Sequence, residues 1–201
     1  MKLVVGLGNP GRKYEGTRHN VGYLVLAELA RRFGTSKPRS RFHGHVVEVD
    51  LEGVRAVLLS PLTYMNRSGL SAAAARDYYK LANDDLLVIC DDLNLPLGKL
   101  RVRPKGSSGG QKGLEDIIRH LGAEDFPRLR IGIGSPPQGW DATDYVLGRF
   151  SREEKAQIEQ AVRRASDAVV AWARHGIQHC MNQYNTPVQH NTIARDRNNS
   201  A

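Results

Sequence analysis

Short runs of branched apolar residues alternate along this chain with stretches whose apolar side chains recur every three or four positions. No other feature restricts the fold as much, because strand and helix in alternation return the chain to the same edge of a parallel sheet. Residues 3–7, LVVGL, read as a buried strand, and Val21, Leu24, Val25, Leu29 and Phe33 then form a helical stripe that stops at Gly34. Residues 45–51 and 54–59 flank Glu52 and Gly53 and predict a hairpin. An Ala-rich helix over 68–81 leads to a second buried strand over 86–90, with Asp91 and Asp92 at its carboxyl end. Further strands are expected over 100–103 and 129–133, with a helix over 113–121 between them. Ser151 and Glu154 match a capping box. The helix they start carries the stripe Ile158, Ala161, Val162, Ala165, Val169 and Trp172 and is expected to stop at Gly176. The expectation is a single α/β domain over residues 1–184, a twisted, mixed but mainly parallel sheet with helices on both faces. Residues 185–201 turn polar and are expected to form a flexible C-terminal tail.

The 201 residues suit one domain with a substantial core. The chain holds 29 Lys and Arg against 21 Asp and Glu, a formal charge of +8, which favours an anionic partner such as nucleic acid. A merely basic globular protein is the alternative. Two cysteines, Cys90 and Cys180, supply neither a disulfide framework nor zinc spacing, so a reducing cytoplasm is expected. The first apolar run breaks at Gly8-Asn9-Pro10-Gly11, too soon for a signal-peptide core. No run reaches the ~18 apolar residues of a membrane span.

Residues 6–11 read G-L-G-N-P-G, which in spelling is a dinucleotide fingerprint after a strand. In that motif the helix begins within the glycines, and a ribose-binding acid follows ~20 residues on at the end of a second strand. Here Pro10-Gly11 reads as a turn, helical periodicity waits until about Asn20, and residues 30–32 are still inside the helix. No nucleotide cofactor is expected. The glycines are expected instead to turn the backbone tightly where a ligand comes close.

The same loop offers Asn9, Tyr14, Arg18, His19 and Asn20. His19 follows a strand whose carboxyl end should lie on the ligand-binding rim of an open α/β sheet, and Asp91 reaches that rim if its strand is parallel. A carboxylate beside an imidazole fixes the tautomer and supports the protonated form, which makes a general base. The plain alternatives are a surface or capping histidine and an N-capping aspartate. In PLTYMNRSG, residues 61–69, Asn66 either caps the next helix or offers an amide to a carbonyl or a water. Tyr64 and Met65 either present surface to a base or side chain or belong to the core. In GKLRVRPKGSSGGQKGL, residues 98–114, Lys99, Arg101, Arg103 and Lys105 would share one face of a strand. That face suits a phosphate backbone, or is simply solvated. The run lacks the G-K-[ST] of a phosphate-binding loop, so nucleotide hydrolysis is not expected. Cys90 reads as core rather than as a nucleophile.

Together these motifs resemble the bacterial peptidyl-tRNA hydrolase family. GLGNPGRKYEGTRHNVG is similar to its N-terminal signature, and PLTYMNRSG, CDDLNLPLGKLRVR, GSSGGQKGL and FPRLRIGIGSP follow in the family's order, over roughly residues 1–185. The resemblance implies a monomeric cytoplasmic enzyme without metal or cofactor. Its reaction would be hydrolysis of the ester between a peptide and the 3′ end of tRNA. The resemblance also implies His19 as the base that activates water, Asp91 as its carboxylate partner, Asn9 as the amide that senses a blocked α-amino group, and Asn66 as the amide that positions the reacting end. Tyr14 and Tyr64 would lie near the tRNA 3′ end, and Arg103 and Arg130 would contact tRNA phosphates; Met65, from the residue reading alone, joins them as a candidate for tRNA or peptide binding. One block departs from the family's G-G-H-N-G-L: Gln111 stands where histidine is usual and Lys112 where a substrate-contacting asparagine is usual. Lysine donates hydrogen bonds and attracts phosphate but cannot accept, so contacts at that position are expected to shift. A non-catalytic RNA-binding relative of the same fold is the alternative, against which His19, Asp91, Asn9 and Asn66 all argue.

Overall fold

The structure is a computed structural model in which residues 1–186 are described. One sheet is built from β1 (Lys2–Gly6), β2 (Arg39–Arg41), β3 (Gly44–Leu51), β4 (Val54–Pro61), β5 (Leu86–Asp92), β6 (Leu100–Arg103) and β7 (Arg128–Gly132). Their order is β2-β3-β4-β1-β5-β7-β6. The central strands β4, β1, β5 and β7 are parallel, with antiparallel β2–β3 at one edge and antiparallel β6 at the other. The mixed, mainly parallel α/β sheet read from the sequence is the sheet that forms.

The helices are α1 (Val21–Phe33), α2 (Ser68–Tyr78), α3 (Lys112–Leu121), α4 (Ala142–Leu147) and α5 (Arg152–Tyr184). Successive strand residues point to opposite faces. Leu3, Val5, Leu86, Val88 and Cys90 pack into a core with residues of α2 and α3, whereas Val4, Leu87 and Ile89 pack with α1 and α5. That division buries both faces of β1 and β5 and explains why their sequences are uninterrupted apolar runs.

The glycines of the first loop do two different jobs. Gly11 has φ of 101° and makes the turn. Gly22 lets α1 lie directly on the sheet, since a Cβ there would come within 2.5 Å of the Leu7 amide nitrogen and 2.7 Å of the Ile89 carbonyl. Gly8 receives the ring of Tyr23 in the same way. The expectation of tight turning thus holds for Gly11, while close helix–strand approach accounts for Gly8.

One local reading is corrected, and one turn carries no sequence signal. Gly176, with φ of 83°, kinks α5 instead of ending it, and the chain continues in helical form to bury Cys180 and Tyr184. The β2–β3 turn is made by Phe42 and His43, both left-handed with φ of 52° and 54°, where no glycine or asparagine announces a turn. Asn185, the first residue of the expected tail, hydrogen-bonds both the N–H and the C=O of Val102 at 2.7 and 3.2 Å and so covers the edge of β6. Residues 187–201 of that tail lie outside the described residues.

Candidate active site

Because β4, β1, β5 and β7 are parallel, their carboxyl ends share one rim, and the loops after them converge there. The loop after β1 is held open as two short 3₁₀ turns, Arg12–Tyr14 and Arg18–Asn20, before α1 begins. Asn20 ties it off: its side chain accepts from the Asn9 N–H at 2.8 Å and donates to the Asn9 C=O at 2.9 Å. On the far side the Arg18 amide donates to the Gly148 carbonyl at 2.9 Å, and the Arg18 guanidinium pairs with Glu154 at 2.8 Å. His19 sits between these two anchors.

His19 Nδ1 lies 2.8 Å from Asp91 Oδ2, and Asp91 is only 3% exposed. A carboxylate accepts, so Nδ1 carries the proton and Nε2 is left with its lone pair. Asp92, on the opposite side of the strand end, accepts from Arg130 at 3.2 Å and from the Asn94 amide at 2.8 Å. Strand alternation therefore assigns the two adjacent carboxylates to different partners. The second oxygen of Asp91 accepts from Gln111 Nε2 at 3.1 Å, and Gln111 Oε1 in turn accepts from the Leu114 amide at 2.8 Å, capping α3.

Asn9 is buried in the loop that carries His19. Its Oδ1 accepts from the Met65 amide at 2.8 Å, which leaves the Nδ2 donor as the free end of the carboxamide. Met65 itself is buried, with its sulfur 3.3 Å from Gln111 Nε2, whereas Tyr64 is 55% exposed. Tyr14 meets Tyr64 edge to face, centroids 6.4 Å apart. Asn66 is exposed and makes no side-chain hydrogen bond among the described residues, nor does it cap α2.

A cleft of about 290 Å³ opens over the pair, with His19, Asp91, Gln111, Lys112, Arg130 and Val146 in its walls. Asn9, Tyr14, Tyr64 and Asn66 do not line it. Lys112 is exposed at the first turn of α3. Arg130 is held, its guanidinium donating to the carbonyls of Ser107 and Ser108 at 3.0 and 2.8 Å as well as to Asp92. Arg103 is exposed on the edge strand, and among the described residues its side chain hydrogen-bonds only Val102 O, at 3.3 Å. Burial pushes the Cys90 thiol up to about 12, so it offers no thiolate. Among the described residues no group of three or more His, Cys, Asp and Glu side chains is arranged to hold a metal ion, and no helix is long and apolar enough to cross a membrane.

Sequence reading did not find two contributors. Arg128, 1% exposed, donates to the carbonyls of Gly106, Ser107 and Glu124 and shapes the glycine-rich loop from beneath. No pattern marks it, for it stands in an apolar strand. Helix α4 brings Val146 and Thr143 to the cleft; the signal that could have found it is Asp141 ahead of Thr143 and Asp144, whose amides donate to the Asp141 carboxylate at 2.7 and 3.3 Å.

A histidine–carboxylate pair on the carboxyl rim of a parallel sheet, beside a basic glycine-rich loop, defines a class of α/β proteins with a preorganised imidazole. A family profile described as peptidyl-tRNA hydrolase matches residues 3–192. Peptidyl-tRNA hydrolase of Rhodopirellula baltica is 53% identical over 92% of this chain and 97% of its own length. That of Geobacillus kaustophilus is 51% identical over 92% of this chain and 100% of its own. A crystal structure of peptidyl-tRNA hydrolase from Acinetobacter baumannii superposes with a TM-score of 0.86 at 37% identity, covering 92% of this chain and 95% of the other. The chain belongs to the peptidyl-tRNA hydrolase family.

Proposed function

We propose that this chain, like its named relatives, hydrolyses the ester joining a peptide or N-blocked aminoacyl group to the 3′ end of tRNA, with His19 as general base. The observation that carries the reading is the contact of His19 Nδ1 with buried Asp91, which leaves Nε2 free to accept a proton. Water attacks the ester carbonyl as Nε2 takes its proton. The imidazolium so formed faces the Asp91 carboxylate and returns the proton to the departing ribose oxygen. Asn9 presents Nδ2 as a donor because Met65 occupies its oxygen. A blocked α-amino group offers that donor a carbonyl, while a free ammonium offers only further donors. Exposed Asn66 is the second amide for the reacting end, and the Tyr14–Tyr64 pair and Met65 form the apolar side of the substrate's path. Lys112 and Arg103 are the free cations for phosphate, and Arg130 acts at the same loop from its held position. The site is assembled within one chain, so a monomer suffices, and the cytoplasm is where such a substrate arises.

The test sets hydrolysis of N-acetyl-aminoacyl-tRNA beside that of the unblocked form. Turnover of the blocked substrate is expected, with the unblocked form spared. His19→Ala is expected to lower kcat by about 10²–10⁴-fold while tRNA binding persists. No turnover by the wild type would leave an RNA-binding relative as the reading, and near-normal turnover by His19→Ala would remove the histidine mechanism.

A further inference from the structure

We infer that Gln111 is a positioning residue for the His19–Asp91 pair, an amide bridge that locks the carboxylate to the N-terminus of α3. The inference deepens the proposed function and rests on it. The Leu114 amide can only donate, so Gln111 Oε1, 2.8 Å away, is oriented without ambiguity and Nε2 must face Asp91. Of the two Nε2 hydrogens, one reaches Asp91 Oδ1 at 3.1 Å and the other points to Met65 Sδ at 3.3 Å. Asp91 Oδ2 is already taken by His19 at 2.8 Å. With the amide removed, a buried carboxylate would keep one unpaired oxygen and be free to rotate away from Nδ1.

Glutamine is also an unusual choice for a helix cap, a role that favours the shorter Ser, Thr, Asp and Asn. Its extra length has a use here, since one side chain spans from the Leu114 amide to Asp91. The bridge continues through Met65, whose amide orients Asn9 at 2.8 Å, so a single chain of contacts sets both the imidazole and the discriminating amide. Gln111 acts on His19 only through Asp91.

Two variants separate positioning from capping. Gln111→Glu keeps an acceptor for Leu114 and the same shape but sets a carboxylate oxygen against Asp91, and Gln111→Met removes both polar contacts. With N-acetyl-aminoacyl-tRNA, both are expected to lower kcat about 10-fold or more with KM within about twofold, the Glu variant also losing some thermal stability because two buried carboxylates then face each other. In an Asp91→Ala background, Gln111→Met is expected to have no further effect on kcat. A Glu variant with wild-type kcat, a rise in KM alone, or losses that multiply independently of Asp91 would each overturn the inference. Absence of wild-type turnover would instead overturn the proposed function and this inference with it.

Discussion

Asp91 has two acceptor oxygens and two donors aimed at them, His19 Nδ1 and Gln111 Nε2. An asparagine there has one acceptor, so one donor would face an NH₂ group. Asp91→Asn is therefore expected to lower kcat by about 10²-fold or more with little change in KM, because the imidazole loses both its tautomer and its charge partner. Single-turnover kinetics checks this, and a loss expressed mainly in KM would contradict it. Lys112 presents a different balance. A cation at a helix N-terminus is unfavourable, and an anion held in the cleft offsets that. Lys112→Asn is expected to raise KM about threefold or more with kcat unchanged. An unchanged kcat/KM would show that the position makes no contact. Of these residues, His19, Asp91 and Lys112 were visible in the sequence as candidates, whereas the Gln111 bridge was not, because neither distance nor amide orientation is written in spacing.

At the scale of elements, β1, α1 and β5 form the frame that fixes His19 relative to Asp91. A close approach in that frame is Gly22, whose added Cβ would meet backbone atoms of Leu7 and Ile89 that cannot yield. Gly22→Ala is expected to destabilise the fold by about 2 kcal/mol or more through overpacking. Urea unfolding measures it, and a wild-type midpoint would show that α1 can lift at no cost. The same elements explain what was legible. Uninterrupted apolar runs marked β1 and β5, stripes of period 3.6 marked α1 and α5, and the Ser151–Glu154 box marked where α5 starts. The turn at Phe42–His43 and the kink at Gly176 were not, since packing of neighbouring elements overrides the local preferences of those residues.

For the whole molecule the decisive quantity is charge placed around a rim. The net charge of +8 gives a long-range attraction to a polyanion, with exposed Lys112 in the wall of the cleft and exposed Arg103 on the edge strand β6. KM for a tRNA substrate is expected to rise steeply between about 50 and 200 mM salt with kcat nearly constant, and Arg103→Ala to reduce that log–log slope by about 1. A flat salt response would separate catalysis from phosphate contacts. Not every arginine that reads as basic surface contributes in this way. Arg128, its guanidinium pulled below its usual value by burial and then by the nearby Arg130 charge, is consumed by loop carbonyls, and Arg130 is largely so.

The sequence by itself determined the alternation of buried strands and amphipathic helices, and with it an α/β sheet in which His19 follows one buried strand and Asp91 ends another. Those properties follow from local periodicity, which needs no distant partner to be read. Only the tertiary structure decided which of two adjacent aspartates meets the histidine, which way the Asn9 and Gln111 amides face, and which arginines remain free. Each of those depends on a hydrogen bond between residues far apart in the chain, 72 positions for His19 and Asp91 and 56 for Asn9 and Met65, and such bonds exist only after the sheet has closed.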